Sequence, residues 1–291
     1  MSSPQGSIVV GYDGSPASRA AVEWATAEAV RLHVPLRLVQ VLDPIVTSRS
    51  APGQVVPSAA HRAARQQALD ALATGIGLHQ PHLSVDTRVL EGRPAEQLLQ
   101  ETDQAKLLVL GSRGLGGWTG LMVGSVAVQV STHAACPVVV VPSDLHSRIN
   151  DPASVIVGVD GSKISAKAID FAFDQAEALH ADLVAVHAWT SPYLTYADGE
   201  SMIAFDEEAE KESCRLLVAE SVAGAAADHP EVRWQTRLIS GQAGRAILVA
   251  AQSANLVVVG SRGRGGFAGL LLGSVSQSVL HHAHCPVAIV R

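Results

Sequence analysis

The stretch GSRGLGGWTGLMVGSV, residues 111–126, contains a spaced set of small residues that could surround an anion. Gly111, Gly114 and Gly124 carry no Cβ, so backbone amides there can come within hydrogen-bonding distance of a ligand. Gly124 and Ser125 open a predicted helix, whose first N–H groups lack intrahelical partners and carry a partial positive charge. This combination favours the binding of a phosphate group.

A carboxylate at the end of another predicted strand can complete such a site. Asp13 follows the apolar run IVVGY, where the first strand leads into a helix. Its oxygens only accept hydrogen bonds, which suits ribose hydroxyl groups, while the amides of the glycine stretch suit phosphates. Alternatively, Asp13 serves as a turn or capping residue before Gly-Ser, and Ser125 caps the helix that it opens.

The same residue types recur in the second half of the 291-residue chain. SIVVGYDGS at 7–15 returns as SVIVGVDGS at 154–162, and GSRGRGGFAGLLLGSV at 260–275 matches the first glycine stretch at eleven of sixteen positions. The sequence therefore predicts two domains of one kind, at 1–145 and 151–291, joined by a polar stretch with a proline near each end.

Strands and helices must alternate within each half to position these residues. In the first half, strands are predicted at 8–12, 35–44, 84–90, 106–111 and 137–141, and helices at 20–33, 59–74, after Pro94 and at 124–133. Short apolar strands linked by helices are typical of an α/β fold of the doubly wound class, with a parallel sheet covered on both faces. Ligands bind such sheets beyond the carboxyl ends of the strands.

Composition excludes several other classes of protein. The formal net charge is −6 without a clustered basic face, so no nucleic-acid binding is expected. The first residues lack the pattern of a signal peptide, and no stretch approaches about eighteen consecutive apolar residues, so we expect a cytoplasmic protein that does not enter a membrane. Cys136, Cys214 and Cys285 are too scattered for a disulfide framework or a metal pair, and we expect them to be reduced and buried.

Other patterns are more simply structural. HHAHC at 281–285 looks like a metal cluster, but its counterpart THAAC at 132–136 keeps only one histidine and the cysteine, so structural roles are favoured. The acidic run DEEAEKE at 206–212 is expected to form a solvated helix face. Trp118 and Phe267 occupy matching loop positions and either cover a ligand or pack against the partner domain.

Taken together, these residues resemble the universal stress protein family, specifically its tandem form and its ATP-binding branch. That branch is marked by G-x-x-G, nine further residues, and then G followed by S or T. The pattern is matched at Gly111, Gly114, Gly124 and Ser125, and again at Gly260, Gly263, Gly273 and Ser274. The resemblance implies two doubly wound parallel five-stranded sheets of strand order 3-2-1-4-5, Rossmann-like and similar to the adenine nucleotide alpha hydrolases. It also implies that the last strands pair across the two domains and that the chain forms a homodimer.

The resemblance further implies one ATP with Mg²⁺ in each domain. Adenine would contact the main chain at the end of the second strand, and the ribose would contact the aspartate. The phosphates would contact the glycine stretch and the helix start. The implied binding residues are Gly11, Asp13, Val41, Gly111, Arg113, Gly114, Gly124, Ser125 and Val126 in the first half, and Gly158, Asp160, Ala188, Gly260, Arg262, Gly263, Gly273, Ser274 and Val275 in the second. The adenine contacts are Val41 and Ala188, and no protein side chain is expected to bind the metal, which the phosphates hold.

The two halves differ slightly within this pattern. Ala188 stands where a bulkier residue is usual, a change that a main-chain contact tolerates. Leu115 in the first half matches Arg264 in the second, which adds a cation near the second phosphate chain. Arg113 and Arg262 either reach the phosphates or lie in solvent.

Motifs for dedicated phosphoryl transfer are missing from the sequence. It contains neither GxxxxGK[ST] nor the kinase HRD and DFG set, and no GxSxG elbow. The resemblance implies an ATP-binding regulator of stress response or growth control, and the missing motifs favour weak ATP hydrolysis at most. A slow ATPase or adenylate-transferring enzyme that uses the same pocket is the alternative, and a scaffold without nucleotide is disfavoured by the intact glycine motifs.

Overall fold

The chain is seen in a computed structural model that describes residues 6–43, 58–114, 123–144, 153–190, 206–264 and 272–291. Its contacts divide it into two compact units, at 1–145 and 146–291. The stretch predicted to join the domains, within 142–154, lies largely outside the described residues, and Leu115, Trp118 and Phe267 lie outside them entirely.

The first unit alternates strands and helices as predicted. Its elements are β1 (Ser7–Gly11), α1 (Pro16–Arg31), β2 (Leu36–Leu42), α2 (Ser58–His79), β3 (Val85–Glu91), α3 (Pro94–Glu101), β4 (Ala105–Gly111), α4 (Ser125–His133) and β5 (Val138–Val141). The parallel pairings β3–β2, β2–β1, β1–β4 and β4–β5 give the strand order 3-2-1-4-5.

The second unit repeats this arrangement. Its elements are β6 (Ser154–Gly158), α5 (Lys163–Leu179), β7 (Asp182–Trp189), α6 (Glu207–Asp228), β8 (Trp234–Ser240), α7 (Ala243–Ala250), β9 (Leu256–Gly260), α8 (Ser274–His282) and β10 (Val287–Val290). The parallel pairings β8–β7, β7–β6, β6–β9 and β9–β10 give the same order. The predicted α/β fold built on parallel strands is therefore confirmed in both halves.

The core of each unit lies around its inner strands. β1 and β4 are runs of valine, leucine and isoleucine whose central residues are buried, as expected when helices cover both faces of a parallel sheet. The outer strands β3 and β8 each have one neighbouring strand in their own unit and are largely half-exposed or exposed. The inner strands β1 and β4 position the site, because their carboxyl ends lie side by side.

Helix α2 extends beyond its predicted end at residue 74. It continues to His79 through Gly75 and Gly77, although each glycine costs a helix up to about 1 kcal/mol relative to alanine. Contacts with β3 favour the helix: Leu69 is fully buried, and Thr87 Oγ1 donates a hydrogen bond to Asp70 at 2.5 Å. These contacts hold the helix against β3 before the two glycines, and Leu78 beyond them is exposed.

None of the three cysteines forms a disulfide bond, and all three are buried, as predicted. Burial raises the pKa of Cys136 to about 12, so its thiol stays protonated at neutral pH. Among the described residues, no three His, Cys, Asp or Glu side chains form a cluster that could hold a metal ion.

The acidic run lies at the start of α6. Asp206 caps this helix by accepting hydrogen bonds from two backbone N–H groups, and Glu207, Glu208 and Glu210 are exposed in its first turn. Negative charge is favourable at the N-terminal end of a helix, so stabilisation of α6 explains the acidic run. None of the described helices combines the length and apolarity that crossing a membrane requires.

Candidate functional site

The predicted aspartate and the predicted glycine meet at the carboxyl ends of β1 and β4. A Cβ built on Gly114 would lie 2.5 Å from Oδ2 of Asp13, closer than real Cβ contacts occur. A Cβ built on Gly263 would lie at the same 2.5 Å from Oδ2 of Asp160. In both units the fold therefore places the carboxylate directly against the glycine stretch.

Each aspartate also organises the turn that follows it. Oδ1 of Asp13 accepts the N–H of Ser15 at 2.9 Å, and Oδ1 of Asp160 accepts the N–H of Ser162 at 2.9 Å. Oδ2 of Asp160 accepts the N–H of Arg264 at 2.9 Å. The turn role considered from the sequence is thus present. An ionised carboxylate has about four acceptor positions, so this role is compatible with accepting a ligand hydroxyl.

The helices α4 and α8 begin without a side-chain cap. Their N-cap residues are Gly124 and Gly273, in extended conformations with φ −75° and −68° and ψ 153° in both. The interpretation of Ser125 as a helix cap is therefore wrong, as it is for its counterpart Ser274, because both serines are the first residue inside the helix. The first N–H groups of each helix consequently have no side-chain acceptor at the N-cap, which leaves them available to an anion.

Hydrogen bonds close each glycine loop onto the strand that precedes it. Gly124 N–H donates to the carbonyl of Ser112 at 2.7 Å, and Gly273 N–H donates to the carbonyl of Ser261 at 2.8 Å. Ser15 Oγ also donates to the carbonyl of Arg113 at 3.1 Å, which links this loop to the start of α1. The helix start is thereby held beside the strand end and the aspartate.

In the second unit these residues enclose a cavity of about 560 Å³. This volume lies within the usual range for small-molecule sites, about 300–1,000 Å³. All nine residues predicted for the second half line it, namely Gly158, Asp160, Ala188, Gly260, Arg262, Gly263, Gly273, Ser274 and Val275. The fold has brought a set chosen from three separate segments of sequence to one cavity.

The apolar wall of this cavity was not predicted from the sequence. Val186 on β7, Val259 on β9, and Ala243 and Ile247 on α7 all line it. The two α7 residues are four apart, so they lie on one face of that helix. An apolar wall opposite a charged and amide-rich end suits a ligand with a flat apolar base and an anionic tail.

Several of the predicted glycines also have a packing role. A Cβ on Gly111 would lie 2.5 Å from the backbone carbon of Ala17 in α1, so the glycine lets that helix approach β4. A Cβ on Gly260 would lie 2.8 Å from Ile164 in α5. From the sequence, ligand binding was favoured for the glycine loops over a merely tight connection, and close helix packing now gives these two glycines an independent explanation.

The glycines that end the first strand of each unit face side chains of the fold. A Cβ on Gly11 would lie 2.6 Å from Cδ2 of Leu110, and a Cβ on Gly158 would lie 2.7 Å from Cδ1 of Ile247. A side chain at either position would require the tip of that neighbouring side chain to shift. Gly158 nevertheless lines the cavity with its backbone.

The main chain of Val41 points past the end of β1. Successive residues of a strand within a parallel sheet direct their N–H and C=O groups to alternate neighbours. The carbonyl of Val39 accepts the N–H of Tyr12 at 2.8 Å on the β1 side, so Val41, two residues later, faces the same side. β1 ends at Gly11, opposite Val39. The backbone groups of Val41 are therefore directed to the space beyond the sheet edge.

Ala188 of the second unit is placed in the same way. Val159 N–H donates to the carbonyl of Val186 at 2.9 Å, which puts Val186 and Ala188 on the β6 side of their strand. β6 ends at Gly158, opposite Val186. Ala188 lines the cavity, so its backbone can contact a ligand base there.

Arginines lie exposed at both glycine loops. The structure shows Arg113, Arg262 and Arg264 exposed, and Arg262 and Arg264 line the second cavity. Within the part of the chain that the structure describes, their guanidinium groups make no hydrogen bond or ion pair. These cations are therefore open to an anionic ligand.

A Gly263→Ala substitution is expected to weaken ligand binding at the second site by about 1–3 kcal/mol. The new Cβ would collide with Oδ2 of Asp160, so the carboxylate must move away from the loop that it holds. Calorimetric titration with Mg-ATP checks this result, and Gly114→Ala is the matched variant for the first site. Unchanged affinity at each variant's own site would contradict the assignment.

Comparison with known proteins identifies similar sequences along nearly the whole chain. The model for the Universal stress protein family matches twice, at residues 6–142 and 153–291. A universal stress protein of Mycobacterium tuberculosis is 35% identical over 310 residues, which cover 98% of this chain and 94% of that protein. A universal stress protein of Mycolicibacterium smegmatis is 36% identical over 291 residues, which cover 98% of this chain and 96% of that protein.

Solved structures are similar as well. The crystal structure of a universal stress protein from Archaeoglobus fulgidus has a TM-score of 0.67 at 18% identity and covers 97% of each chain, a likeness that concerns the fold alone. The crystal structure of a universal stress protein in complex with cAMP is 28% identical, covers 48% of this chain and 97% of its own, and has a TM-score of 0.38.

Proposed function

Because the chain belongs to the universal stress protein family in both of its halves, we propose that it is a regulatory protein that binds ATP with Mg²⁺ in each domain. The observation that carries this proposal is the second unit's cavity, which is lined by all nine residues selected from the sequence of that half. In this proposal the nucleotide state alters the shape of the protein or its partners during stress response or growth control.

The parts of the cavity fit the parts of an adenine nucleotide. Adenine lies against the apolar wall formed by Val186, Ile247 and Val259 and hydrogen-bonds the main chain of Ala188. A ribose hydroxyl donates to the carboxylate of Asp160. The phosphates lie on the loop after β9 and on the first amides of α8, where the helix dipole favours negative charge.

The residues present also fit a nucleotide that carries its own magnesium ion. Among the described residues that line the second cavity, Asp160 is the only acidic one, and two backbone N–H groups already bind its oxygens. Mg²⁺ in nucleotide sites is commonly held by phosphates and water with few protein ligands. The ion would supply charge neutralisation of the phosphates, and the protein would hold the phosphates themselves.

The first domain is proposed to bind a nucleotide in the same manner. Asp13 contacts Gly114, α4 starts at an uncapped glycine, and the backbone of Val41 points beyond β1, as at the matching positions of the second domain. Two nucleotides per chain are therefore expected.

The site favours binding over chemistry. A general base must lie within hydrogen-bonding reach of the attacking water. The ionisable side chains among the described residues that line the second cavity are Asp160, Arg262 and Arg264. In this proposal backbone amides and the ribose occupy the carboxylate of Asp160, and the arginines have no acceptor for a proton, so we assign no residue the role of activating water.

Titration of the nucleotide-free protein with labelled Mg-ATP is expected to give two bound nucleotides per chain. ATP recovered unchanged after many times the dissociation half-time supports the regulator. Conversion to ADP or AMP faster than nucleotide exchange would favour an enzyme that uses the same pocket. The Gly114→Ala and Gly263→Ala double variant is the control, and binding by the wild type no greater than by this variant would refute the proposal.

A further inference from the structure

We infer that Arg264 makes the second site more selective than the first for nucleotides with more phosphate groups, so that the two sites of one chain respond differently to ATP and AMP. This inference rests on the proposed nucleotide-binding function and concerns how the second site distinguishes its ligands.

The basis is a charge difference between otherwise matching loops. The segment GSRG is identical in the two halves, and the next residue is Leu115 in the first and Arg264 in the second. The charged residues among those that line the second cavity are Asp160, Arg262 and Arg264, which gives a net charge of +1. The matching residues Asp13, Arg113 and Leu115 of the first half have no net charge.

Arg264 is fixed at its backbone and open at its side chain. Its N–H donates to Oδ2 of Asp160 at 2.9 Å, which ties it to the carboxylate proposed to hold the ribose. Its guanidinium lies over Gly161, where any Cβ would collide with it, and Gly161 has a φ of +74° that favours glycine. The arginine therefore lies across the turn that starts α5, on the rim of the cavity.

This position leaves the guanidinium free to move to a phosphate. Arg264 is exposed, and within the described residues its guanidinium makes neither a hydrogen bond nor an ion pair. Gly14, the counterpart of Gly161, also has a positive φ of +87°, but no described side chain lies within 4 Å of a Cβ built there. Among the described residues, a cation therefore lies over this turn in the second unit and not in the first.

An additional arginine should affect the nucleotides unequally. The guanidinium presents a planar fork of donors that suits phosphate oxygens, and each added phosphate brings further negative charge. In the proposed binding mode the single phosphate of AMP lies at the helix start, and ATP carries two further phosphates that Arg264, as a residue lining the same cavity, can contact. Because Arg264 is exposed, its effect is screened by salt, and we expect a gain on the order of fivefold.

Titration calorimetry of proteins in which one site is weakened tests this inference. The Gly114→Ala variant reports the second site and the Gly263→Ala variant reports the first. In the Gly114→Ala background, Arg264→Leu is expected to lower ATP affinity about fivefold at 50 mM salt and leave AMP affinity nearly unchanged. Arg264→Lys should retain part of the preference for ATP over AMP. In the Gly263→Ala background, Leu115→Arg should raise this preference at the first site.

The possible results separate this inference from the proposed function. Equal losses of ATP and AMP affinity would show that Arg264 acts only through the Asp160 turn, and would overturn the inference while leaving nucleotide binding intact. An ATP-to-AMP ratio that does not change on Arg264→Leu substitution would also overturn it. No nucleotide bound by the wild type would instead refute the proposed function.

Discussion

A Ser274→Pro substitution is expected to weaken ATP binding at the second site about tenfold to a hundredfold without unfolding the domain. Ser274 is the first residue of α8, and its N–H has no intrahelical acceptor. Proline removes this donor from the proposed phosphate site. A hydrogen bond to a charged group contributes about 1.5–3 kcal/mol, and about 1.4 kcal/mol corresponds to a factor of ten in affinity.

The local backbone is suited to this proline. The first helical position is where proline is most readily accepted, because its fixed φ matches the helix. The preceding residue, Gly273, has φ −68° and ψ 153°, the extended conformation that residues before proline prefer. Ser274 is also exposed, so the free energy of unfolding should change by no more than about 0.5 kcal/mol.

A matched alanine variant separates the amide from the hydroxyl group. Ser274→Ala removes the hydroxyl and keeps the N–H, so most of the ATP affinity should remain. Ser125→Pro and Ser125→Ala provide the same comparison at the first site, where Gly124 has a similar extended conformation. Wild-type ATP affinity in a folded Ser274→Pro protein would contradict the placement of the phosphates at the start of α8.

The sequence was sufficient to predict the class of fold and the edge of the sheet at which the site lies. Apolar runs too short for helices alternated with longer amphipathic segments, which favours parallel strands joined by helices. In such a sheet the residues that follow β1 and β4 are neighbours, so Asp13 and Gly114 could be expected to meet. The structure places them in direct contact.

The apolar wall could not be predicted, because nothing local distinguishes it. Ala243 and Ile247 lie on the apolar face of α7, and from the sequence such a face is indistinguishable from core. Only the packing of α7 beside β6 and β7 turns these residues towards the cavity. Glycine is similarly ambiguous: Gly111 permits the approach of α1, and a glycine needed for packing has the same sequence signal as one needed for a ligand.

The capping alternative for Ser125 differs from the structure by a single residue. Serine is a common N-cap, so Ser125 was a reasonable candidate to cap α4. The helix instead begins at Ser125 itself, with Gly124 as its N-cap. Helix ends are uncertain by one or two residues from any local signal, and here that difference decides whether an amide is capped or available.

The second large effect concerns the stability of the first domain. It involves a group of charged residues at the opposite end of the strands from the site. Arg37 on β2 has a side chain that is only 3% exposed, and it contacts two carboxylates. Its Nε donates to Asp86 at 2.9 Å and its Nη1 donates to Glu101 at 3.1 Å. Arg88 also donates to Glu101 at 3.1 Å. Together these residues form a partly buried charged network between β2, β3 and α3.

An Arg37→Val substitution is expected to lower the free energy of unfolding of the first domain by about 1.5–3 kcal/mol. It leaves the carboxylate of Glu101, whose side chain is 9% exposed, with one of its two arginines. Hydrogen exchange measured by mass spectrometry reports this loss in β1, β2 and β4 separately from the second domain. Exchange in the second domain serves as the internal control.

The second half of the chain supplies the compensating variant. Val184 and Ala250 occupy the positions that match Arg37 and Glu101, so the second domain folds with apolar residues there, and both are buried. Removing both charges avoids leaving one of them buried without its partner. The Arg37→Val and Glu101→Ala double variant should therefore lose less stability than the sum of the single variants, by about 1–3 kcal/mol. Additive losses would show that the two side chains contribute independently, and would argue against a coupled network.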